Sequence, residues 1–347
     1  MNAVLDFGLW VLDWRKHLRT AEKPLLLLLA TTVLAGSPAA AAQQAAKVFR
    51  IGVLLSGSSS SVESAGDAFR RGMGELGYVE GKNIVMEYRF AEGKRDRLPK
   101  LAAELVLQQV DILVVAGVSA TQAAKQATTT IPIVVGYAGD LVGTGLVASL
   151  AKPGGNITGS TEISPDVSGK RLELLKEAVP KATSVAVVWY PRKGGSDEEE
   201  VRQTEAAARQ LGVKVQLIEV RDPNAFQGTY DVMTKQHANA VILIRGSFTE
   251  FYRAPLLGLA LKHRLPSICE PAQWARDSCL LSYGPDYAHL WQRAATYVDK
   301  ILKGARPGEL PVEQPTKFEL AINLKTAKAL GLTIPQSVLV RADQVIK

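Results

Sequence analysis

The stretch SLAKPGGNITG, from Ser149 to Gly159, lies near the middle of the 347-residue chain, between two halves of similar pattern. Three interpretations are open: a glycine-rich phosphate loop, a glycan acceptor at Asn-Ile-Thr, and a connection between two folded halves. A helix is predicted just before it, near Leu141–Leu150, whereas a phosphate loop follows a strand and opens a helix. Pro153 and the two glycines favour a turn, which leads into the short extended segment Ile157–Gly159. We therefore predict a hinge.

Short apolar strands alternate with amphipathic helices on both sides of this hinge. Strands are predicted to start at residues 51, 85, 111 and 131 in the first half, and at 185, 215, 240 and 266 in the second. This spacing between strand starts is typical of two βαβα arrays, each a parallel sheet covered by helices on both faces. The predicted fold class is α/β, with two lobes joined near residue 158.

The C-terminal part of the chain holds too few elements for a separate core. A strand at Leu280–Tyr283 precedes a long amphipathic helix that ends at Gly304, and a proline-rich link follows. A strand at Phe318–Ile322 and a helix ending at Gly331 complete the chain. We expect these elements to complete the two lobes. The predicted boundaries are 48–158 plus 284–311 for lobe 1, and 159–283 plus 312–347 for lobe 2.

The first 42 residues are predicted to be a secretory signal peptide. Basic residues between Arg15 and Lys23 precede the apolar run Leu25–Leu34, and small residues follow it. This run is shorter than the about 20 apolar residues that a membrane-spanning helix needs, and the order of its parts is typical of a signal. The expected location is the periplasm, and an uncleaved membrane anchor is the alternative.

The net charge of +7 is spread along the chain without a long basic run. A nucleic-acid-binding protein usually clusters its basic residues, so no nucleic-acid partner is expected. Cys269 and Cys279 are the only cysteines. A pair outside the cytoplasm can oxidise, but the sequence does not show that the two meet, and two isolated buried thiols are the favoured interpretation.

Motifs for catalysis or cofactor binding are weak. The pattern G-x-G-x-x-G at Gly72–Gly77 closes a predicted helix, whereas a dinucleotide-binding fingerprint opens one. The four histidines lack metal-ligand spacing, and the chain contains no G-x-S-x-G nucleophile elbow. We therefore expect no catalytic residue, metal or cofactor, and a Rossmann-type enzyme is the least favoured alternative.

Polar residues collect where the predicted strands end. In open α/β sheets this edge faces helix N-termini and forms the ligand crevice. Hydroxyl and N–H groups suit a carboxylate, whereas an acid such as Glu270 suits an ammonium group. The alternative for Ser58, Ser119 and Asp140 is an ordinary N-cap, and Tyr190 could simply cover the core. The candidate ligand-binding residues are Ser56, Ser58, Ser119, Ala120, Thr121, Tyr137, Asp140, Tyr190, Arg245 and Glu270.

Five motifs follow one another from the middle of the chain towards its C-terminus. They are KPGGNITG (152–159), SYGP (282–285), KILKG (300–304), PVEQPTKFEL (311–320) and NLKTAKALGL (323–332). With them, the chain from Arg50 onward resembles the TrpX-like family of bacterial ABC-transporter substrate-binding proteins. It departs from that family at Asp140–Leu141, where many members have Asp-Pro, and at Ser278–Cys279, where many have Gly-Gly.

The resemblance implies the type I periplasmic binding fold, in which two Rossmann-like lobes joined by three crossings hold a ligand between them. Some members take aromatic amino acids. In related amino-acid binders, the first lobe holds the α-carboxylate, which corresponds here to Ser119, Thr121 and Tyr137. An acid of the second lobe takes the ammonium group, which corresponds to Glu270. We therefore expect a monomeric receptor that delivers a small molecule to a membrane ABC permease. The alternative is an extracytoplasmic ligand sensor of the same fold.

Overall fold

The computed structural model describes residues 47–57, 63–162, 164–191 and 196–347. The predicted signal and the candidate residue Ser58 lie outside these residues. The first half of the chain alternates strands with helices, as its apolar spacing predicts. Its elements are β1 (Phe49–Leu55), α1 (Glu63–Glu75), β2 (Ile84–Phe90), α2 (Leu98–Leu107), β3 (Ile112–Ala116), α3 (Val118–Ala127), β4 (Ile133–Tyr137) and β5 (Ile157–Gly159).

These five strands form one parallel sheet in the order β2-β1-β3-β4-β5. Side chains along a strand point alternately to its two faces, and β1 shows this directly. Leu54 packs in the hydrophobic core that contains Leu101 of α2. Ile51 and Val53 pack in the core on the other side of the sheet, with Phe69 of α1. The sheet is therefore covered by helices on both faces.

The second half of the chain forms a seven-stranded sheet. Its elements are α4 (Ser164–Ala178), β6 (Ser184–Trp189), α5 (Ser196–Leu211), β7 (Lys214–Glu219), α6 (Phe226–Lys235), β8 (Ala240–Leu243), α7 (Ser247–Phe251), α8 (Arg253–Lys262), β9 (Ser267–Cys269), α9 (Ala272–Arg276), β10 (Leu281–Pro285), α10 (Tyr287–Leu302), β11 (Phe318–Asn323), α11 (Leu324–Leu330), α12 (Gln336–Leu339) and β12 (Gln344–Ile346). The strand order is β12-β11-β10-β9-β8-β6-β7, and only the β10–β11 pair is antiparallel.

The chain returns from the second sheet to the first through α10. Trp291 of this helix contacts Phe69 edge-on at 6.1 Å between ring centroids and packs in the core of the first sheet. After α10 the chain runs beside β5 on its way to β11. There the Thr158 hydroxyl donates to the Leu310 carbonyl at 2.7 Å, and the Glu313 N–H donates to the Gly159 carbonyl at 2.9 Å. Two of the segments that join the sheets are thus hydrogen-bonded to each other.

The predicted helix near Leu141–Leu150 is wrong, because this segment forms a series of turns. The Asp140 carboxylate accepts from the N–H groups of Val142 and Gly143, at 3.0 and 2.8 Å. Such local side-chain bonds compete with helix formation. The Lys125 ammonium also donates to two carbonyls of this segment. The stretch at 149–159 therefore follows turns, and it leads into a strand.

The apolar pattern of residues 248–263 predicts one helix, but the structure has two, α7 and α8, which meet at Tyr252. Pro255 explains the break, because proline has no N–H group and its ring clashes with the carbonyl four residues earlier in a continuous helix. The helix α9, the helix α12 and the strand β12 were not predicted. Among the described residues, every helix is too short or too polar to cross a membrane.

Cys269 and Cys279 form a disulfide bond, with their Cα atoms 6.5 Å apart. The prediction of two isolated thiols is therefore wrong. The chain turns through α9 between them, which brings the two sulfurs together in the core under the second sheet. Both residues are fully buried. Glu270 directly follows the first of the two cysteines, so this crosslink lies next to a candidate site residue.

Candidate functional site

A pocket of about 60 Å³ lies where the carboxyl ends of strands from both sheets face each other. The first sheet contributes residues after β1, β3 and β4. The second contributes residues after β8 and at the start of α5, and Glu162 comes from the segment after β5. The lining residues are Leu55, Ser56, Gly57, Ala116, Gly117, Val118, Tyr137, Gly139, Glu162, Asp197, Arg245, Gly246, Ser247 and Glu250.

Arg245 follows β8 and lies among carboxylates and aromatic rings. Its Nη1 donates to Glu162 at 3.1 Å and to the Tyr287 hydroxyl at 3.0 Å. Its Nη2 donates to both oxygens of Glu250, at 3.2 Å each. The guanidinium carbon lies 4.3 Å from the ring centroid of Tyr137 and 4.4 Å from that of Tyr287. These distances suit cation–π contacts, so Arg245 is fixed from several sides.

Glu270 is buried behind Tyr287. One of its carboxylate oxygens accepts from the Tyr287 hydroxyl, and the other accepts from Arg171 Nη1 at 3.1 Å. Arg171 also pairs with Glu200, with 2.7 Å between Nη1 and Oε1. Because the Tyr287 hydroxyl contacts both Arg245 and Glu270, a continuous set of polar contacts runs from the pocket into the second sheet.

Burial raises the pKa of two acids in this set. The pKa of Glu162 is raised to about 7, because its carboxylate is poorly solvated and lies near Glu270 and Glu250, although Arg245 opposes the shift. The pKa of Glu200 is raised to about 8 by burial and by Glu270, against the attraction of Arg171. Burial also raises the pKa of the Tyr137 and Tyr287 hydroxyls. Both tyrosines are therefore neutral at physiological pH.

The raised pKa of Glu200 predicts a pH-dependent stability. Between pH 4.5 and about 8, the folded chain retains a proton that the unfolded chain has lost, so the free energy of unfolding falls as pH rises. Between pH 5 and pH 8 we expect the free energy of unfolding of the wild type to fall by on the order of 2 kcal/mol more than that of Glu200→Gln. Urea unfolding at several pH values measures this difference.

The control for this prediction is Glu199→Gln. Glu199 is the preceding residue on α5 and its side chain is 39% exposed. Glu199→Gln should therefore show the same pH dependence of the free energy of unfolding as the wild type. Parallel curves for the wild type and Glu200→Gln would contradict the raised pKa.

Three of the predicted candidates, Ser56, Tyr137 and Arg245, line the pocket together. The hydroxyl of Ser56 is buried and has no hydrogen-bond partner among the described residues. Glu270 is connected to them through Tyr287, one layer behind the pocket.

The side chains of the candidates on α3 are placed differently. Thr121 donates its hydroxyl to the Gly117 carbonyl at 2.9 Å, and Ala120 is fully buried in the core. Ser119 is half-buried and does not line the pocket. The backbone of α3 offers more hydrogen-bond donors than these side chains. The first intrahelical bond of α3 runs from the Thr121 N–H to the Gly117 carbonyl. The N–H groups of Val118, Ser119 and Ala120 thus belong to the open end of the helix, which attracts anions.

The structure does not bring Asp140 or Tyr190 to the pocket. Asp140 is exposed, and its carboxylate holds the turn that follows β4. The Tyr190 ring packs on Phe248 with 4.8 Å between centroids, and the guanidinium of Arg95 lies 5.0 Å from it.

Several pocket residues were not among the candidates. Glu162 lies three residues after β5. The sequence predicts a hinge at this short strand, but its carboxyl end faces the pocket like the ends of β1, β3 and β4. Glu250 lies one turn into α7. Tyr287, which begins α10, is not part of the pocket lining but contacts the lining residue Arg245. Of these three residues, only Glu162 lies just after a predicted extended segment, which is the feature that marked the other candidates. No group of three or more His, Cys, Asp or Glu side chains within the described residues is arranged to hold a metal ion.

Comparison with known proteins identifies relatives of the whole described unit. A family model described as "ABC transporter substrate binding protein" matches residues 50–346. The "Tyrosine-binding protein" of Clostridioides difficile (strain R20291) is 27% identical over 289 residues, which are 78% of each chain.

Two solved structures are similar over 86% of this chain and 100% of their own, each with a TM-score of 0.79. One is a conserved domain protein from Vibrio cholerae, which is 27% identical. The other is an ABC domain in complex with L-Trp from Streptococcus pneumonia, which is 26% identical. These similarities confirm the predicted α/β fold.

Proposed function

Because this chain belongs to the family of ABC transporter substrate-binding proteins, with the type I periplasmic binding fold, we propose that it is the extracytoplasmic receptor of an ABC importer. We further propose that its ligand is an amino acid, bound in the cleft between two lobes. The family consists of substrate-binding proteins rather than enzymes. The single observation that carries the proposal is a pocket with the N-terminus of α3 on one side and carboxylates on the other.

The carboxylate side of the proposed site belongs to the first sheet. The N–H groups at the start of α3 and the buried hydroxyl of Ser56 both lie at the pocket. Backbone N–H groups and the helix dipole favour negative charge at this end. A ligand carboxylate would also give the Ser56 hydroxyl the hydrogen-bond acceptor that it lacks among the described residues.

The ammonium side belongs to the second sheet and to the segment after β5. Glu162, Asp197 and Glu250 line the pocket, and Glu270 lies behind Tyr287. Carboxylates accept strong hydrogen bonds from an ammonium group. The tyrosine-binding relative and the structural neighbour in complex with L-Trp support an amino acid as the ligand. We therefore take aromatic amino acids as the first compounds to test.

Ligand entry requires the lobes to separate. The pocket holds about 60 Å³, whereas small-molecule sites usually measure roughly 300–1,000 Å³. We propose lobe 1 at 48–158 plus 284–311 and lobe 2 at 159–283 plus 312–347, with the hydrogen-bonded segments at 157–161 and 310–313 as the hinge. Hinge motion of this kind closes binding proteins on their ligands, and a ligand that contacts both lobes favours the closed state.

An extracytoplasmic location agrees with the predicted signal at 1–42 and with the disulfide between Cys269 and Cys279. Disulfides persist in oxidising compartments and are rare in the cytosol. We propose a periplasmic monomer whose partner is an ABC permease in the membrane.

A thermal-shift panel on residues 43–347 tests the proposed ligand. A ligand at about 100 times its Kd stabilises the native state by about 2.7 kcal/mol. We expect L-tyrosine, L-tryptophan or another amino acid to raise Tm. Ser56→Ala should weaken binding about tenfold, because it removes one hydrogen bond to a charged group. Isothermal titration measures this change.

Tyr230→Phe is the matched control. It also removes a buried hydroxyl that lacks a hydrogen-bond partner among the described residues, but Tyr230 lies on α6, outside both the pocket and the proposed hinge. Its loss should leave affinity unchanged. Stabilisation by sugars and by no amino acid would contradict the proposed ligand class, and unchanged binding by Ser56→Ala would remove Ser56 from the site.

A further inference from the structure

The segment after β2 contacts elements of the second sheet beside the pocket. Gly93 lies directly against the side chain of Phe251 at the end of α7, so that a Cβ at Gly93 would be 2.7 Å from Phe251 Cγ. Two residues further along the chain, the guanidinium carbon of Arg95 lies 5.0 Å from the ring centroid of Tyr190, which follows β6. This distance suits a cation–π contact. We call these four residues the mouth contact.

Both sides of the mouth contact are joined to the pocket lining. On the side of the first sheet, the Gly93 N–H donates to the carbonyl of the lining residue Ser56 at 2.8 Å. On the side of the second sheet, Phe251 directly follows the lining residue Glu250 in α7. A change in the separation of Gly93 and Phe251 therefore moves pocket residues of the two sheets relative to each other.

The mouth contact lies far from the proposed hinge. The strands β2 and β5 are the opposite edges of the first sheet, whose order is β2-β1-β3-β4-β5. Four strand spacings of about 4.8 Å each place these edges about 19 Å apart. The hinge begins at β5, whereas Gly93 follows β2. Rotation about the hinge must therefore separate Gly93 from Phe251, while the residues beside β5 move little.

A glycine at position 93 is required by both the backbone and its neighbour. Gly93 has a φ of +72°, which residues with side chains rarely adopt. An added Cβ would also lie 2.9 Å from the Cβ of Phe251. Because the Phe251 Cβ stays in place when that side chain rotates, no rotamer of Phe251 removes this clash. A side chain at position 93 can be accommodated only if the two segments move apart.

We propose that the mouth contact is a latch that holds the pocket closed, so that ligand affinity depends on Gly93 and Phe251, although neither is among the residues that line the pocket. This inference rests on the proposed function and adds to it the residues that stabilise the closed state. When the binding-competent state is only partly populated, the apparent affinity falls by the populated fraction. Opening the latch therefore weakens binding without removing a contact to the ligand.

A double-mutant cycle tests the latch. L-tryptophan, with L-tyrosine as a second probe, is titrated calorimetrically into the mature wild type, Gly93→Ala, Phe251→Gly and the double variant. Gly93→Ala forces the segments apart and Phe251→Gly removes the contact, so each should raise Kd about tenfold. The double variant should bind no more weakly than Phe251→Gly alone, because the added Cβ then has no side chain to clash with. This non-additivity is the sign of a direct contact.

Gly81→Ala is the matched control. Gly81 lies in the turn before β2 and has a φ of +80°, close to that of Gly93, but no atom lies within 4 Å of an added Cβ. Its substitution has the same backbone cost, so it should lower Tm and leave Kd at the wild-type value. A purely structural role of position 93 would affect Kd no more than this control does.

Distances between spin labels report the closed state without any ligand. Lys100→Cys on α2 and Arg221→Cys after β7 place the labels on exposed residues of the two sheets. The native cysteines, Cys269 and Cys279, form a disulfide, so that labels attach only at the introduced positions. Electron paramagnetic resonance should show longer distances in ligand-free Gly93→Ala than in the labelled wild type.

Equal affinities of Gly93→Ala and Gly81→Ala, or additive effects of the two substitutions in the cycle, overturn the latch and leave the proposed function standing. If no amino acid binds the wild type, the proposed ligand class fails, and the label distances alone decide: equal distances in Gly93→Ala and the wild type overturn the latch. If Gly93→Ala does not fold, Phe251→Gly decides, and wild-type affinity in that variant contradicts the inference.

Discussion

Gly159→Ala is expected to destabilise the chain by more than about 4 kcal/mol, or to prevent its folding, which would be an exceptionally large effect for one methyl group. A Cβ at this position would lie 2.1 Å from the carbonyl oxygen of Val135 and 2.6 Å from its nitrogen. Both are backbone atoms, so no rotation of a side chain can relieve the clash. Gly159 also has a φ of +128°, a conformation that residues with side chains rarely adopt.

The clash would damage the connection between the sheets as well as β5. Val135 and Gly159 face each other in the β4–β5 pair, and the Ser160 N–H donates to the Val135 carbonyl at 2.8 Å. The Gly159 carbonyl in turn accepts from Glu313 on the returning segment. Strand pairing and the proposed hinge thus depend on the same close approach. Urea unfolding and circular dichroism of the purified variant measure the loss.

Gly154→Ala is the control within the same stretch. Its φ of +68° also disfavours a side chain, but no atom lies within 4 Å of an added Cβ. We expect a loss of about 1 kcal/mol, which is the usual cost of the backbone conformation alone. Equal losses for the two variants would show that the close contact between Gly159 and the Val135 backbone is not the reason why a side chain at Gly159 is destabilising.

Most strands and helices could be predicted because their signals are local. The apolar run at Ile51–Leu55 and the helical spacing of Phe69 and Met73 depend only on which face each residue presents to the core. The predicted helix near Leu141–Leu150 failed because its backbone is held by Asp140 and by Lys125, about 20 residues earlier in the chain. Apolar spacing carries no information about such bonds.

Only those pocket residues that lie at or near strand ends could be predicted from the sequence. Ser56, Tyr137 and Arg245 end a strand or lie within two residues of a strand end, and all three line the pocket. The pairing of Arg245 with Glu162 joins residues 83 positions apart, and no spacing rule predicts it. Glu270 was predicted from its strand end as an ammonium partner, but its contacts with Arg171 and Tyr287 could not be foreseen. Glu270→Ala is therefore expected to lower stability as well as affinity, rather than affinity alone.

Arg171 is buried behind the pocket, in contact with two buried carboxylates. It is 1% exposed and its Nη1 contacts both Glu200 and Glu270, at 2.7 and 3.1 Å. The side chains of both carboxylates are at most 4% exposed, so water would solvate them poorly if the guanidinium were removed. Replacing a whole buried ion pair with apolar residues can be neutral, but removing one partner leaves the other charge uncompensated.

Arg171→Met should therefore destabilise the chain by about 3–5 kcal/mol at pH 8, as measured by urea unfolding. The loss should be smaller at pH 5, because the stranded carboxylates can then take up protons, and the raised pKa of Glu200 already shows that protonation is favoured there. Arg202→Met is the matched control on the neighbouring helix α5. Its partner is Glu199 and its side chain is 68% exposed, so the expected loss is below about 1 kcal/mol. A small loss for Arg171→Met, or one that does not change with pH, would mean that Arg171, Glu200 and Glu270 are not charged as their contacts indicate.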